Sequence, residues 1–353
     1  MVHYNCRLLK SISMHKRDFS YSADNFRAIS ILFVILSHLV NLSLLNNSLN
    51  FFLTDATTWF LFISGYLFFQ VESNENFSYF KYLKKKIKFV ITPYLIISAP
   101  CILAGIYFHQ PQIYEISTEK YIAWSLLVGG LVNGPMWFTP MIAIFFLASP
   151  VFLNLTQKNT LILLLTAAAG IIISIFSSRP TLNSNPIYSF IHFFGFYMLG
   201  LFFFKIRNEI KSLSKSLSTQ IIISGILLYA IIASFNSDFD LNGKEYIPFF
   251  EAIGLPNSTT LGKLVLLISI FVFLEKYFNI PNKYLRYISS ISFGLFFLHG
   301  IFIRIFNKNI EINLQNPFYS ALLEFIFVFL SSIITIEFSK KILKHRTRYV
   351  IGC

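Results

Sequence analysis

Long apolar segments alternate with short polar or basic segments along almost the whole chain. The apolar segments carry little or no charge over about 18–20 residues, the length of a helix that crosses the hydrocarbon core of a bilayer. They lie at residues 26–45, 51–70, 89–108, 137–155, 160–177, 188–204, 219–235, 261–278, 287–306 and 318–337. We therefore predict an all-α integral membrane protein with about ten transmembrane helices.

The segment at 121–134 decides the topology, because it is apolar but short. It ends in Gly129-Gly130 and Asn133-Gly134-Pro135, which are turn signals. If it is a re-entrant or surface helix, 22 of the 29 lysines and arginines fall on the side of the two termini, and six fall on the other side. A further span here would invert every later loop and largely remove this asymmetry. The positive-inside rule therefore favours ten spans with both termini in the cytoplasm.

The composition of the chain agrees with a membrane location. Of the 353 residues, 55% are hydrophobic and 13% are charged, whereas about 25% of the residues in a soluble domain are charged. The net charge of +13 comes from basic residues between the apolar segments, so we expect membrane lipids rather than nucleic acid as partners. Cys6, Cys101 and Cys353 show no disulfide or metal-binding spacing, and we expect no metal.

We interpret residues 1–353 as a single membrane domain of a multi-pass protein in the inner (plasma) membrane. Residues 1–25 are predicted to form a cytoplasmic N-terminal segment, residues 26–337 the transmembrane core and residues 338–353 a basic cytoplasmic tail. The first apolar segment carries a histidine and lacks a small-residue cleavage site, so we predict a retained span rather than a signal peptide.

The first predicted span carries residues that could perform chemistry. Asp24 and Arg27 lie three residues apart and can pair at the start of the helix. His38 follows Arg27 by eleven residues, about 16 Å along the same helix face, and Asn41 lies one turn further. A histidine within the hydrocarbon is costly unless it faces a polar interior, so His38 is a candidate base. Alternatively, Arg27 reaches the lipid headgroups and His38 packs against a neighbouring helix.

The ninth predicted span contains a second histidine in a similar position. Ser292 and His299 are seven residues apart and share a helix face. His299 lies about 18 Å into its span. Two histidines in the middle of predicted spans are difficult to explain by packing alone, which favours a functional site.

Three other motifs each allow more than one interpretation. Ser64-Gly65, in the second predicted span, either packs closely against another helix or contacts a substrate. The lysines of the predicted basic loop at 81–88 set topology, contact anionic lipid or receive a ligand with several phosphates. Trp137 is an interfacial anchor or a substrate contact.

In order and spacing, these motifs resemble the membrane-bound acyltransferase family often called acyltransferase 3, whose members O-acetylate surface polysaccharides and related glycans. The family begins with Asp-x-x-Arg and has a histidine eleven residues after the arginine, which correspond to Asp24, Arg27 and His38. The other matches, within residues 20–337, are Phe60, Ser64 and Gly65, the basic pair Lys85 and Lys88 before Pro93 and Tyr94, Trp137, and Ser292, Phe293, Phe296, Phe297 and His299.

Two departures from the family pattern change side-chain chemistry. Both arginines of the basic pair are lysines here, Lys85 and Lys88, so point charges replace planar guanidinium groups. Both tyrosines of the late motif are phenylalanines, Phe293 and Phe296, which suggests that these hydroxyls are not essential in this chain.

The resemblance implies transfer of an acyl group, usually acetyl, from cytoplasmic acyl-CoA to a hydroxyl of a cell-surface or lipid-linked glycan such as O-antigen. Acetyl-CoA is then the donor co-substrate, and the glycan is the acceptor. By the same resemblance, His38 acts as base or acyl carrier with Arg27 and Asp24, and Lys85 and Lys88 bind the donor. The residues implied to contact the acceptor are Ser64, Trp137, Asn41, Ser292 and His299.

A different class of function also fits the predicted topology. Ten spans, mid-membrane histidines and a basic inner face suit a transporter or flippase for a lipid-linked sugar or acyl group. The two halves of the chain show no obvious inverted repeat, which argues against this alternative. A non-catalytic membrane scaffold would leave the paired histidines unexplained.

Overall fold

The computed structural model describes residues 20–39, 51–72, 77–129, 134–177, 185–235, 256–309 and 317–353. All regular elements in these ranges are helices, as the apolar pattern predicts. The helices named below are α1 (Tyr21–Leu36), α2 (Thr57–Glu72), α3 (Tyr79–Tyr107), α4 (Thr118–Leu127), α5 (Phe138–Leu147), α6 (Ser149–Gln157), α7 (Thr160–Phe176), α8 (Pro186–Lys205), α9 (Lys215–Ser234), α10 (Ser258–Tyr277), α11 (Lys283–Ser290), α12 (Ser292–Asn309), α13 (Pro317–Leu343) and α14 (Thr347–Val350). Shorter helices lie at Gln110–Ile113, Gly134–Trp137, Arg207–Ser212 and Lys344–Arg346.

Within the described residues, six helical segments are long and apolar enough to cross a membrane, or eight if each of two bent pairs forms one span. The six are Phe51–Glu72, Tyr79–Tyr107, Pro186–Lys205, Lys215–Ser234, Ser258–Tyr277 and Phe318–Val350. The bent pairs are Gly134–Leu147 with Ser149–Gln157, and Lys283–Ser290 with Ser292–Lys308. The chain is a membrane protein, while ten spans and the cytoplasmic position of both termini stay predictions.

The predicted boundaries of the first span, residues 26–45, are wrong. α1 begins at Tyr21, because the side chain of Ser20 caps the helix by accepting a hydrogen bond from the N–H of Ala23 at 3.3 Å. The helix ends at Leu36, and His38 lies in the turn that follows, with its N–H donating to the carbonyl of Ile35 at 3.1 Å. Residues 40–50 lie outside the described ranges.

The basic segment 81–88, predicted as a loop, is helical. α3 is continuous from Tyr79 to Tyr107 and contains a π-helical turn at Ile87–Ile91. Lysine and leucine are good helix formers, and neither glycine nor proline interrupts residues 79–92, so the helix continues through the basic residues. Such π-helical turns are frequent at functional sites.

Two of the predicted spans are bent. The span predicted at 137–155 bends by 53° between α5 and α6, because Pro150 lacks an N–H and begins a new helix. The span predicted at 287–306 bends by 71° between α11 and α12, and α11 keeps its charged side chains exposed. The helix predicted within 121–134 is α4, whose ten residues are too few to cross a bilayer.

Helices α2, α8 and α10 form the centre of the bundle. In each of these helices, between 61% and 67% of the most apolar stretch of 18 residues is buried. In α9 the buried share of that stretch is only 6%. α2 and α8 cross so closely that a Cβ atom at Gly65 would overlap the backbone of Tyr197, and one at Gly200 would overlap the backbone of Phe62. Gly65 therefore serves close helix packing.

Hydrogen bonds fix the first turn of α1 on the end of α10. The N–H of Ser22 donates to the side chain of Asn279 at 3.1 Å, and the Ser22 hydroxyl donates to the carboxylate of Glu275. The amide of Asn25 donates to the carbonyl of Phe278 at 3.1 Å. From this anchored end, α1 packs beside α2 and α12, and the packing determines where Arg27 and His38 lie.

Candidate active site

The two histidines singled out in the sequence lie next to each other. His38 lies in the turn after α1, and His299 is fully buried in α12. The centroids of their imidazole rings are 5.5 Å apart, and the ring planes are tilted by 42°. Two side chains that are 261 residues apart in the sequence therefore form one pair.

The hydrogen bond of His299 determines where its proton lies. Its Nδ1 is 3.0 Å from the carbonyl oxygen of Leu295, and because a carbonyl only accepts, Nδ1 must carry the hydrogen. In the neutral ring, the lone pair then lies on Nε2. Among the described residues this buried Nε2 has no hydrogen-bond partner. His299 therefore offers a proton acceptor beside His38.

An aromatic pocket adjoins His38. It is small, with a cavity volume of about 10 Å³, and its walls come from α1, α2, α5, α12 and the short helix before α5. The ring of Trp137 stacks on Phe193 with the centroids 5.7 Å apart, which fixes the orientation of the indole. The lining residues are Val34, His38, Thr57, Phe60, Pro135, Trp137, Phe138 and Phe296. The mainly apolar lining with a few polar groups is like that of a small-molecule site, but a bound ligand would have to widen the pocket.

Arg27 marks the other end of the contact between α1 and α12. Its guanidinium carbon lies 5.3 Å from the centroid of the Phe293 ring. Asp24 acts on Arg27 electrostatically, while its carboxylate accepts a hydrogen bond from Ser289 at 3.1 Å. Ser292 is fully buried, and its hydroxyl has no hydrogen-bond partner among the described residues. Arg27 and His38 thus lie at opposite ends of one contact between two helices.

The basic residues of α3 differ in their surroundings. Lys85 and Lys88, predicted to bind the donor, are exposed, and the ammonium of Lys88 lies 4.5 Å from the ring centroid of Tyr349. Lys86, which sequence reasoning did not select, is partly buried and interacts electrostatically with both Arg27 and Arg348. Within a run of lysines, the sequence alone carries no signal that distinguishes Lys86 from its neighbours.

Two further predicted contacts have different outcomes. Ser64 is partly buried on α2, and its hydroxyl donates to the carbonyl of the pocket residue Phe60 at 2.7 Å. Asn41 lies outside the described residues. The structure therefore brings together His38, His299 and Trp137, and it places Ser64 one helical turn from the pocket.

Comparison with known proteins gives one finding on the family. A family model described as an acyltransferase domain, Acyl_transf_3, matches residues 20–336, which is nearly the whole chain. Comparison with curated proteins and with solved structures gives no match.

Proposed function

This chain belongs to the acyltransferase 3 family and is an acyltransferase, and from that premise we propose the reaction that it catalyses. It transfers an acyl group, expected to be acetyl, from cytoplasmic acyl-CoA to a hydroxyl of a cell-surface or lipid-linked glycan. We place it in the inner membrane, as predicted from the sequence. The observation that carries this proposal is the pairing of His38 with His299 beside an aromatic pocket.

The pocket supports binding of the acceptor. Trp137, Phe138 and Phe296 line it, and the apolar face of a sugar ring would pack against these aromatic rings once the pocket widens to admit it. His38 borders the same pocket, so an acceptor hydroxyl there would lie within reach of the imidazole. Ser292 and Ser64 are further candidates for hydrogen bonds along the path to this pocket.

In the proposed step, the acceptor hydroxyl oxygen attacks the thioester carbonyl while His38 removes the hydroxyl proton. The carbon–sulfur bond then breaks, and the CoA thiolate leaves and receives the proton from the His38 imidazolium. His299, whose Nε2 carries a lone pair, stabilises that imidazolium from the neighbouring ring. A transient acyl-His38 intermediate is the alternative course of the same transfer.

The donor would bind at the end of the helix contact that Arg27 marks. CoA has its phosphates at one end and its thioester at the other, joined by an extended arm. In an uninterrupted helix, eleven residues would separate Arg27 from His38 by about 16 Å. Arg27 positions the donor or offsets its negative charge, Asp24 holds Arg27 electrostatically, and Lys85 and Lys88 receive the phosphates.

Transfer of label from acetyl-CoA tests this proposal. Protein reconstituted in lipid nanodiscs is incubated with acetyl-CoA labelled in the acetyl group and a lipid-linked glycan extract. The wild type should incorporate label into glycan, and His38→Ala should lower the rate by about 100-fold or more, because a general base contributes roughly 10²–10⁴-fold.

His109→Asn is the matched control. His109 is exposed and has a positive φ of 55°, which asparagine tolerates, so this variant should transfer label like the wild type. Retention of near wild-type activity in His38→Ala would remove His38 from the mechanism. If wild-type protein moved a lipid-linked sugar across vesicles and incorporated no label, the transport alternative would replace the proposal.

A further inference from the structure

The C-terminal turn is docked on the helix bundle. Ile351 is a buried core residue, and the backbone of Gly352 lies against Phe293 and Phe297 on α12. Thr347 is buried, and its hydroxyl donates to the carbonyl of Lys344 at 2.7 Å. α14 also packs on α3, so this turn bridges the start of α12 and the basic part of α3.

The docked turn interleaves cations with aromatic rings. The guanidinium carbon of Arg348 lies 4.2 Å from the ring centroid of Phe89, and the ammonium of Lys88 lies 4.5 Å from that of Tyr349. The two rings are themselves 5.3 Å apart. A guanidinium stacked on a ring by its face keeps its N–H edges available, and Arg348 is exposed.

Positive charge from three segments converges beside this turn. Arg348 acts electrostatically on both Arg27 and Lys86, and Lys85 adds to the charge at Lys86. Three carboxylates lie nearby: Asp24 acts on Arg27 and binds Ser289, Glu337 pairs with Lys340 at 2.7 Å, and Glu72 acts on Lys86. Among the described residues, Arg348 makes no ion pair. Such a group of like charges favours an anionic ligand.

We propose that the docked C-terminal turn forms one wall of the donor site and that Arg348 binds a phosphate group of acyl-CoA. This inference rests on the proposed function for the identity of the ligand. Lys85, Lys86 and Lys88 provide point charges, whereas Arg348 provides the planar group that can bind two phosphate oxygens at once. Because the turn is held by Thr347 and Ile351, the guanidinium is ordered before the ligand arrives.

The test measures binding of CoA and of pantetheine, which lacks the nucleotide phosphates, in phosphatidylcholine nanodiscs. Arg348→Ala should weaken CoA binding by about 10–100-fold, the effect of losing a charge-assisted hydrogen-bonding pair, and should leave pantetheine binding unchanged. The CoA affinity of Arg348→Lys should fall between those of the wild type and Arg348→Ala. Arg346→Ala is the matched control, because Arg346 is also exposed and basic but lies on the preceding turn, and it should bind CoA like the wild type.

Equal CoA affinity in Arg348→Ala and wild type would overturn the inference. An equal loss of affinity for CoA and for pantetheine would also overturn it, because it would indicate a structural role for the turn. A phosphate could also belong to a lipid headgroup, so the measurement is repeated in nanodiscs with phosphatidylserine. If Arg348→Ala reduced CoA binding only in anionic lipid, the phosphate would belong to the lipid, and the inference would be wrong. Absence of label transfer would contradict the proposed function separately.

Discussion

At the scale of single residues, the two histidines differ in their surroundings. His299 donates from Nδ1 to Leu295 and leaves a lone pair on Nε2, so its tautomer is fixed by its own helix. His38 lies in a turn at the border of the aromatic pocket, where it can meet a ligand. This difference is the reason that we propose His38 as the group that contacts the acceptor and His299 as the group that supports the charge on His38.

His299→Asn tests the role of the second ring. The asparagine amide can replace Nδ1 as the donor to Leu295, but it has no atom in the place of Nε2. We therefore expect a folded protein whose kcat falls by about 100-fold, since proton transfer through a positioned group contributes roughly 10²–10⁴-fold. The KM for acetyl-CoA should stay unchanged, because the donor end at Arg27 is untouched. Steady-state kinetics and a thermal melt provide the two measurements.

Two results of the His299→Asn experiment would contradict this assignment. A wild-type kcat in the folded variant would exclude a role for the Nε2 lone pair. A fall in melting temperature, with activity lost only in proportion to the folded protein lost, would assign His299 to packing alone.

At the scale of elements, the C-terminal turn and α3 act together. The sequence identifies residues 338–353 only as a basic tail, whereas the structure docks its last residues against α3 and α12. The π-helical turn at Ile87–Ile91 shifts the register of the side chains that follow it in α3. The C-terminal turn packs next to this point. The proposed donor end of the site therefore depends on contacts between segments more than 250 residues apart.

Alkylation of Cys353 reports on docking of this turn. Burial raises the pKa of the Cys353 thiol from 9.0 to about 11. A raised pKa lowers the thiolate fraction at a given pH, and the thiolate is the reactive form, so alkylation at pH 8 should be about 100-fold slower than for an ordinary thiol. The rate should increase about tenfold for each pH unit until the pH approaches 11.

The measurement uses a variant in which Cys6 and Cys101 are replaced by serine, so that Cys353 is the only cysteine. Mass spectrometry follows iodoacetamide labelling of the native and the detergent-denatured protein, the second serving as the control. Equal labelling rates in the two states would contradict docking of the C-terminal turn.

At the scale of the whole molecule, α1 and α12 together connect a basic end at Arg27 with a histidine pair at a pocket. The sequence predicts the all-helical membrane character, the family and the candidate residues Arg27, His38 and His299, because hydrophobic length and motif spacing are local properties. It does not predict that α1 begins at Tyr21, because this end of the helix is held by contacts with α10 and α11. The end at Leu36 is not predicted either, since neither glycine nor proline occurs at residues 37–39.

The pairing of His38 with His299 and the position of Arg348 also lie beyond sequence reasoning. Both depend on packing between segments that are far apart in the chain, and a single sequence carries no record of such contacts. The lysine run shows the same limit at shorter range. Which of Lys85, Lys86 and Lys88 is partly buried depends on the helix that continues through them, and the sequence alone does not reveal it.

The most direct measurement of the central claim is the mass of the host's surface glycan with and without this protein. We predict that deletion removes the mass of an acyl group, expected to be acetyl, from the glycan repeat. The wild-type gene should restore that mass, and the His38→Ala form should not, although it is present in the membrane in equal amount. An unchanged glycan mass after deletion, or full restoration by His38→Ala, would contradict the account.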